Sequence, residues 1–94
     1  MTPVPLDARF HVARDVQSRR FHEEVVVLDL RRGEYFSLNE VGARVWDALS
    51  SGATLREVIE TLAVDYDTSV TQLSVDVLAV VEDLLRRELV VQGD

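Results

Sequence analysis

The sequence predicts an α+β domain of winged-helix-like order, with an N-terminal three-stranded antiparallel sheet followed by a three-helix bundle. Three observations carry this. Period-two patterning with β-branched residues dominates before residue 39, and helical periodicity follows it. A glycine-bearing turn, Arg31-Arg32-Gly33, joins two strand-like runs. Asn39, Thr54 and Ser69 each stand where a helix would begin.

The chain has 94 residues, the length of one domain, and the reading is a single domain over 1–94. Met1 to Asp7, with Pro3 and Pro5, reads as an extended segment, and residues 1–8 are expected to form a flexible arm. Phe10 to Arg14 alternates weakly and predicts a short strand. Phe21 to Leu30 is the most secure strand, with Val26, Leu28 and Leu30 on one face and Val25, Val27 and Asp29 on the other. Glu34 to Leu38 returns as the second arm of a hairpin. Phe36 and Leu38 share one of its faces, Tyr35 and Ser37 the other.

Asn39 caps a helix expected over Glu40 to Leu49, whose apolar stripe is Val41, Val45, Trp46 and Leu49. Gly42 lies inside it, at a cost of about 1 kcal/mol against alanine, which close packing against a neighbour would explain. Thr54 and Glu57 form a capping box, and Leu55, Val58, Ile59, Leu62, Ala63 and Tyr66 then keep helical spacing to about Asp65. Ser69 with Gln72 opens a third helix reaching roughly Arg87. Its apolar surface is wide: Leu73, Val77, Val80, Val81 and Leu84 make one stripe, and Val75, Leu78 and Leu85 extend it sideways. Such a stripe is buried on two sides or keeps surface for a partner. Leu89-Val90-Val91 reads as a tail that packs back on the domain.

Composition narrows the chemistry. There is no cysteine, so disulfides, thiolate metal sites and a cysteine nucleophile are excluded. No secretory signal pattern opens the chain and no apolar run approaches the ~20 residues of a membrane span, so the cytoplasm is the expected location, with no membrane partner. The net charge is −7, and its distribution is uneven. Residues 1–53 hold eight acids and seven arginines, net −1; residues 54–94 hold nine acids and three arginines, net −6. Such a surface repels phosphate backbones, and nucleic acid is not expected as a partner.

Catalytic residues are not indicated. His22 and Glu24 suggest a weak metal pair, but the usual zinc spacings are absent and no metal is assigned. The serines lack a nucleophile elbow and the four glycines form no phosphate loop. The expectation is a binding protein, not an enzyme, with no cofactor. The arm Tyr35–Leu38 is the informative segment. At a sheet edge its main-chain groups would lack partners on one side, and it carries a charge only at its start. A peptide strand can add there, with the surplus apolar surface of the third helix as the opposite wall.

Two other readings use the same features. A winged-helix DNA-binding protein would place Thr71 to Glu88 in a groove. That segment carries Asp76, Glu82, Asp83 and Glu88 against Arg86 and Arg87, net −2, the wrong sign. A homodimeric structural module would pair the open edge with its own copy.

The stretch EVVVLDLRRGEYFSLNEVGARVWDALSSG, Glu24 to Gly52, and its continuation ATLREVIETLAVDYDTSVTQLSVDVLAVVEDLLRRELV resemble the PqqD-like family. The shared pattern is a strand pair with G-x-Y-[FW]-x-L-N, an apolar helix containing Trp, Gly-x-Thr opening a helix, and a long final helix bearing Asp76-Val77. The resemblance implies a stand-alone precursor-peptide recognition element, of the group that includes lasso-peptide recognition proteins. Such domains bind the leader of a ribosomally made precursor peptide. They present it to a modifying enzyme, such as a radical-SAM enzyme or a leader peptidase. By position, Tyr35, Phe36, Ser37 and Leu38 would pair with the leader, and Asp76, Val77, Val80, Asp83 and Leu84 would line the helical wall.

Overall fold

Hairpin chemistry builds the N-terminal half. A computed structural model describes residues 4–93. Strands β1 (Arg9–Val12), β2 (Val16–Phe21), β3 (Glu24–Asp29) and β4 (Glu34–Leu38) precede helices α1 (Glu40–Ser50), α2 (Leu55–Asp65) and α3 (Val70–Arg86), and β5 (Val90–Gly93) ends the chain. Strands β2, β3 and β4 form an antiparallel sheet in that order, so β4 is an edge.

The α+β class and the three-stranded sheet agree with expectation; the membership of the sheet does not. The run Phe21 to Leu30 is broken by a two-residue turn at His22-Glu23, where His22 has φ 58°. The preceding strand, Val16–Phe21, was not expected, because its centre is Gln17, Ser18, Arg19 and Arg20, all exposed. The segment expected as the first sheet strand, Phe10 to Arg14, pairs elsewhere. As β1 it makes a separate two-stranded ribbon with β5, Phe10 opposite Gln92 and Val12 opposite Val90. Of the Leu89-Val90-Val91 tail, Val90 and Val91 lie in β5 and Leu89 just before it; Leu89 and Val90 are buried, whereas Val91 is exposed.

The arm is tied down at its inner end. Leu6 and Ala8 accept through their carbonyls from Arg56 N–H at 2.9 Å and Leu55 N–H at 3.1 Å, so residues 4–8 cap the free amides of α2. Residues 1–3 of the expected arm lie outside the described residues.

The caps stand where the side chains predict them. Asn39 Oδ1 accepts from Gly42 N–H at 2.9 Å, Ser69 Oγ from Gln72 N–H at 3.1 Å, and Thr54 exchanges both capping-box bonds with Glu57. The core joins Val25 and Val27 of the sheet to Val45, Trp46 and Leu49 of α1, Leu55, Val58, Ile59 and Leu62 of α2, and Leu73, Val77, Val81 and Leu84 of α3. Among the described residues no helix is long and apolar enough to cross a membrane.

Candidate functional site

The phase of the β2–β3 hairpin decides which main-chain groups are free on β4. A two-residue turn makes Phe21 and Glu24 a hydrogen-bonded pair. Glu24, Val26 and Leu28 therefore direct their N–H and C=O groups to β2. The bond from Leu30 N–H to Asp15 O, 2.9 Å, continues that phase. Val25, Val27 and Asp29 serve β4 through their partners Leu38, Phe36 and Glu34. Tyr35 and Ser37 are left with N–H and C=O directed away from the sheet. Among the described residues no backbone bond reaches those outward groups.

Side chains on β4 alternate as expected. Tyr35 is 71% exposed, whereas Phe36 and Leu38 are half-buried and rest on the core. Gly42 of α1 lets Leu38 approach: a Cβ on Gly42 would sit 3.3 Å from that of Leu38.

The segments that flank α3 are joined to those that flank β4. At one end Tyr66, which precedes α3, donates its hydroxyl to Glu40 at 2.7 Å, just past the end of β4. That bond raises the Tyr66 pKa. At the other end the β3–β4 turn holds the C-terminus of α3. Arg32 donates to the Arg87 carbonyl at 3.3 Å and pairs with the Glu88 carboxylate, and Arg31 donates to the Glu88 carbonyl at 2.7 Å.

One face of α3 is identified by the residue that caps its C-terminus. Arg87 places its guanidinium carbon 4.2 Å from the centre of the Phe36 ring. At helical spacing, Arg87 continues the row Asp76, Val80, Asp83. Along that row Asp76 is exposed, and Val80 and Asp83 are half-buried. Asp83 is already engaged, accepting from Arg86 at 2.8 Å and Arg87 at 3.1 Å.

Val77 and Leu84 are not on this surface. They are 0% and 2% exposed and belong to the core. The expected stripe joined two neighbouring faces of α3, and packing against α1 and α2 takes one of them. Two contributors were missed from sequence, Arg87 and the buried Asp29. Asp29 is 1% exposed and accepts from Arg31 Nε at 3.1 Å and Arg32 at 2.9 Å. The bond from Arg31, with Arg32 adding and burial opposing, lowers its pKa to about 2. The signal was an acid on the apolar face of β3 followed, after Leu30, by two arginines.

This arrangement can accept an extended chain. Two residues with outward main-chain groups offer four hydrogen bonds, and half-buried Phe36, Leu38 and Val80 offer apolar surface beside them. A hollow of about 690 Å³ bounded by Phe21, His22, Glu23, Glu24 and Glu40 lies at the β2–β3 turn and is open to solvent. Strand addition needs no such concavity, because its affinity begins with the main chain.

Comparison with known proteins places these features in a group. The family described as coenzyme PQQ synthesis protein D (PqqD) matches residues 24–90. No curated protein matches the chain. Among solved structures, TbiB1 in complex with the TbiA(beta) leader peptide superposes with TM-score 0.81 at 29% identity, over 85% of this chain and 93% of that one. Lasso peptide synthetase B1 complexed with the leader peptide superposes with TM-score 0.82 at 26% identity, over 89% of this chain and 99% of that one.

Proposed function

The chain belongs to the PqqD family, and from that premise we propose that it binds the leader segment of a ribosomally synthesised precursor peptide by strand addition to β4. The carrying observation is the unpaired edge at Tyr35 and Ser37, with Arg87 at the end of α3 stacked on the neighbouring Phe36. Both structural relatives named above are complexes with leader peptides. The loaded domain would present the precursor to a modifying enzyme, a radical-SAM enzyme or a leader peptidase, in the cytoplasm. Its role is binding rather than catalysis, and a lasso-type product is the nearest chemistry.

Each proposed residue has a task. Tyr35 and Ser37 supply the four outward main-chain groups. Phe36 and Leu38 form the apolar floor, Val80 the wall and Asp76 a free carboxylate for a basic leader residue. Asp83 holds Arg87 over Phe36 instead of meeting the leader. Val77 and Leu84 support the wall from within.

Magnitudes show why both parts are needed. Four hydrogen bonds contribute about 2–6 kcal/mol net. A micromolar complex needs about 8 kcal/mol, and ordering the peptide adds to the demand. Apolar burial on Phe36, Leu38 and Val80, at about 25 cal/mol per Å², has to supply the difference.

The test is a titration of the ¹⁵N-labelled chain with the leader of the precursor encoded beside it. Expected are shifts at residues 34–38 and at Asp76, Val80 and Asp83. Shifts confined to other residues, or none at all, would exclude strand addition here. The DNA-binding reading gains nothing from the fold, since α3 keeps its acidic balance; strong salt-sensitive duplex retardation in a gel would revive it.

A further inference from the structure

The foot of the groove is held by one charged cluster that joins segments far apart in sequence. Asp29, on the core face of β3, gathers Arg31 and Arg32 through its two oxygens, and also accepts from the Arg31 backbone N–H at 3.1 Å. Those arginines then reach the end of α3, as described above, at the Arg87 and Glu88 carbonyls and the Glu88 carboxylate. Carbonyls at a helix C-terminus carry partial negative charge, so guanidinium donors suit them.

Glu88 is the unexpected residue in this cluster. Leu89 N–H bonds to Leu84 O at 2.9 Å and Glu88 N–H to Leu85 O at 3.0 Å, the two bonds of a Schellman ending. The residue at that position normally is glycine, because it must be left-handed; Glu88 has φ 60°. A glycine would present the same carbonyl without strain. It would not present the carboxylate that Arg32 takes.

We infer that the Asp29–Arg31–Arg32–Glu88 clasp is a positioning cluster that sets the spacing between the β4 edge and α3, and so the width offered to a guest strand. This rests on the leader-binding reading. Without the clasp, the Arg87–Phe36 contact, the Tyr66–Glu40 end and the half-buried core contacts would be left to align the two walls.

Glu88→Gly separates positioning from stability, because it removes the carboxylate while relieving the left-handed strain. The chain has no cysteine, so spin labels can be placed at Tyr35→Cys and Asp76→Cys alone. The expected result is a broadened label-to-label distance distribution in Glu88→Gly and in Arg32→Ala. In the unlabelled Glu88→Gly chain, the thermal midpoint should be unchanged or raised. Its affinity for the fluorescein-labelled leader used in the titration should fall roughly tenfold. Distances as narrow as in the parent chain, or an unchanged affinity, would overturn the inference. If the parent chain binds no leader, the leader-binding reading fails instead, and the label distances still decide whether the clasp sets the spacing.

Discussion

The Cβ that Gly42 lacks would stand 3.3 Å from the Cβ of Leu38, so α1 touches the end of the open strand with no side chain between. Leu38 cannot yield by rotating, since its Cβ is fixed to the β4 backbone. Gly42→Ala gains about 1 kcal/mol of helix propensity and gives part of it back by displacing Leu38. Gly42→Val should lose about 1–3 kcal/mol. Chemical denaturation measures both, and the amide resonance of Leu38 should move in each.

The hairpin phase makes a sharp prediction within β4. Ser37→Pro removes an outward N–H that the protein's own ladder does not use, so the fold should survive while leader binding is lost. Phe36→Pro removes an N–H that pairs with β3 and should unfold the sheet, at about 3 kcal/mol or more. Circular dichroism with peptide titration separates the two. Equal damage from both would mean the phase is misassigned.

The two sides of α3 should respond differently. Leu84→Ala empties a core position and should cost about 2–5 kcal/mol. Val80→Ala, at the half-buried border of the groove, should cost less stability and weaken leader binding several-fold. Denaturation midpoints and fluorescence anisotropy on the same two proteins test this.

Acid should loosen the hairpin foot through Asp29. Its folded pKa, about 2, lies below the ordinary 3.8. The stabilisation is therefore complete above about pH 4 and disappears as pH falls through 2. Asp29→Asn should be less stable than the parent at pH 6, and the gap should narrow between pH 4 and 2. Urea midpoints across that range measure it; a constant gap would show that charge on Asp29 is not what matters.

Much of this was legible because it is local chemistry. Asn39, Thr54 and Ser69 cap helices with side chains that name their own partners a few residues on. The edge at Tyr35–Leu38 was legible from its lack of charge. What was not legible depends on distance or on choice of face. Val16–Phe21 has polar side chains at its centre and is a strand only because β3 lies beside it. The pairing of β1 with β5 joins opposite ends of the chain. Val77 and Val80 look alike in a wide stripe, and only the packing of α3 separates them. The reach of Arg32 to Glu88 spans 56 residues that no local pattern connects.

The two margins of the three-stranded sheet are unlike. The β2 margin carries exposed Arg19 and Arg20, the latter paired with Asp47, whereas the β4 margin carries no charge past Glu34. Adding a strand beside β2 would mean desolvating guanidinium groups, so growth of the sheet is favoured in one direction only. Under the proposed function this fixes the stoichiometry at one leader per chain. It also makes self-pairing and leader capture compete for the same seam, so an excess of leader should hold the protein monomeric.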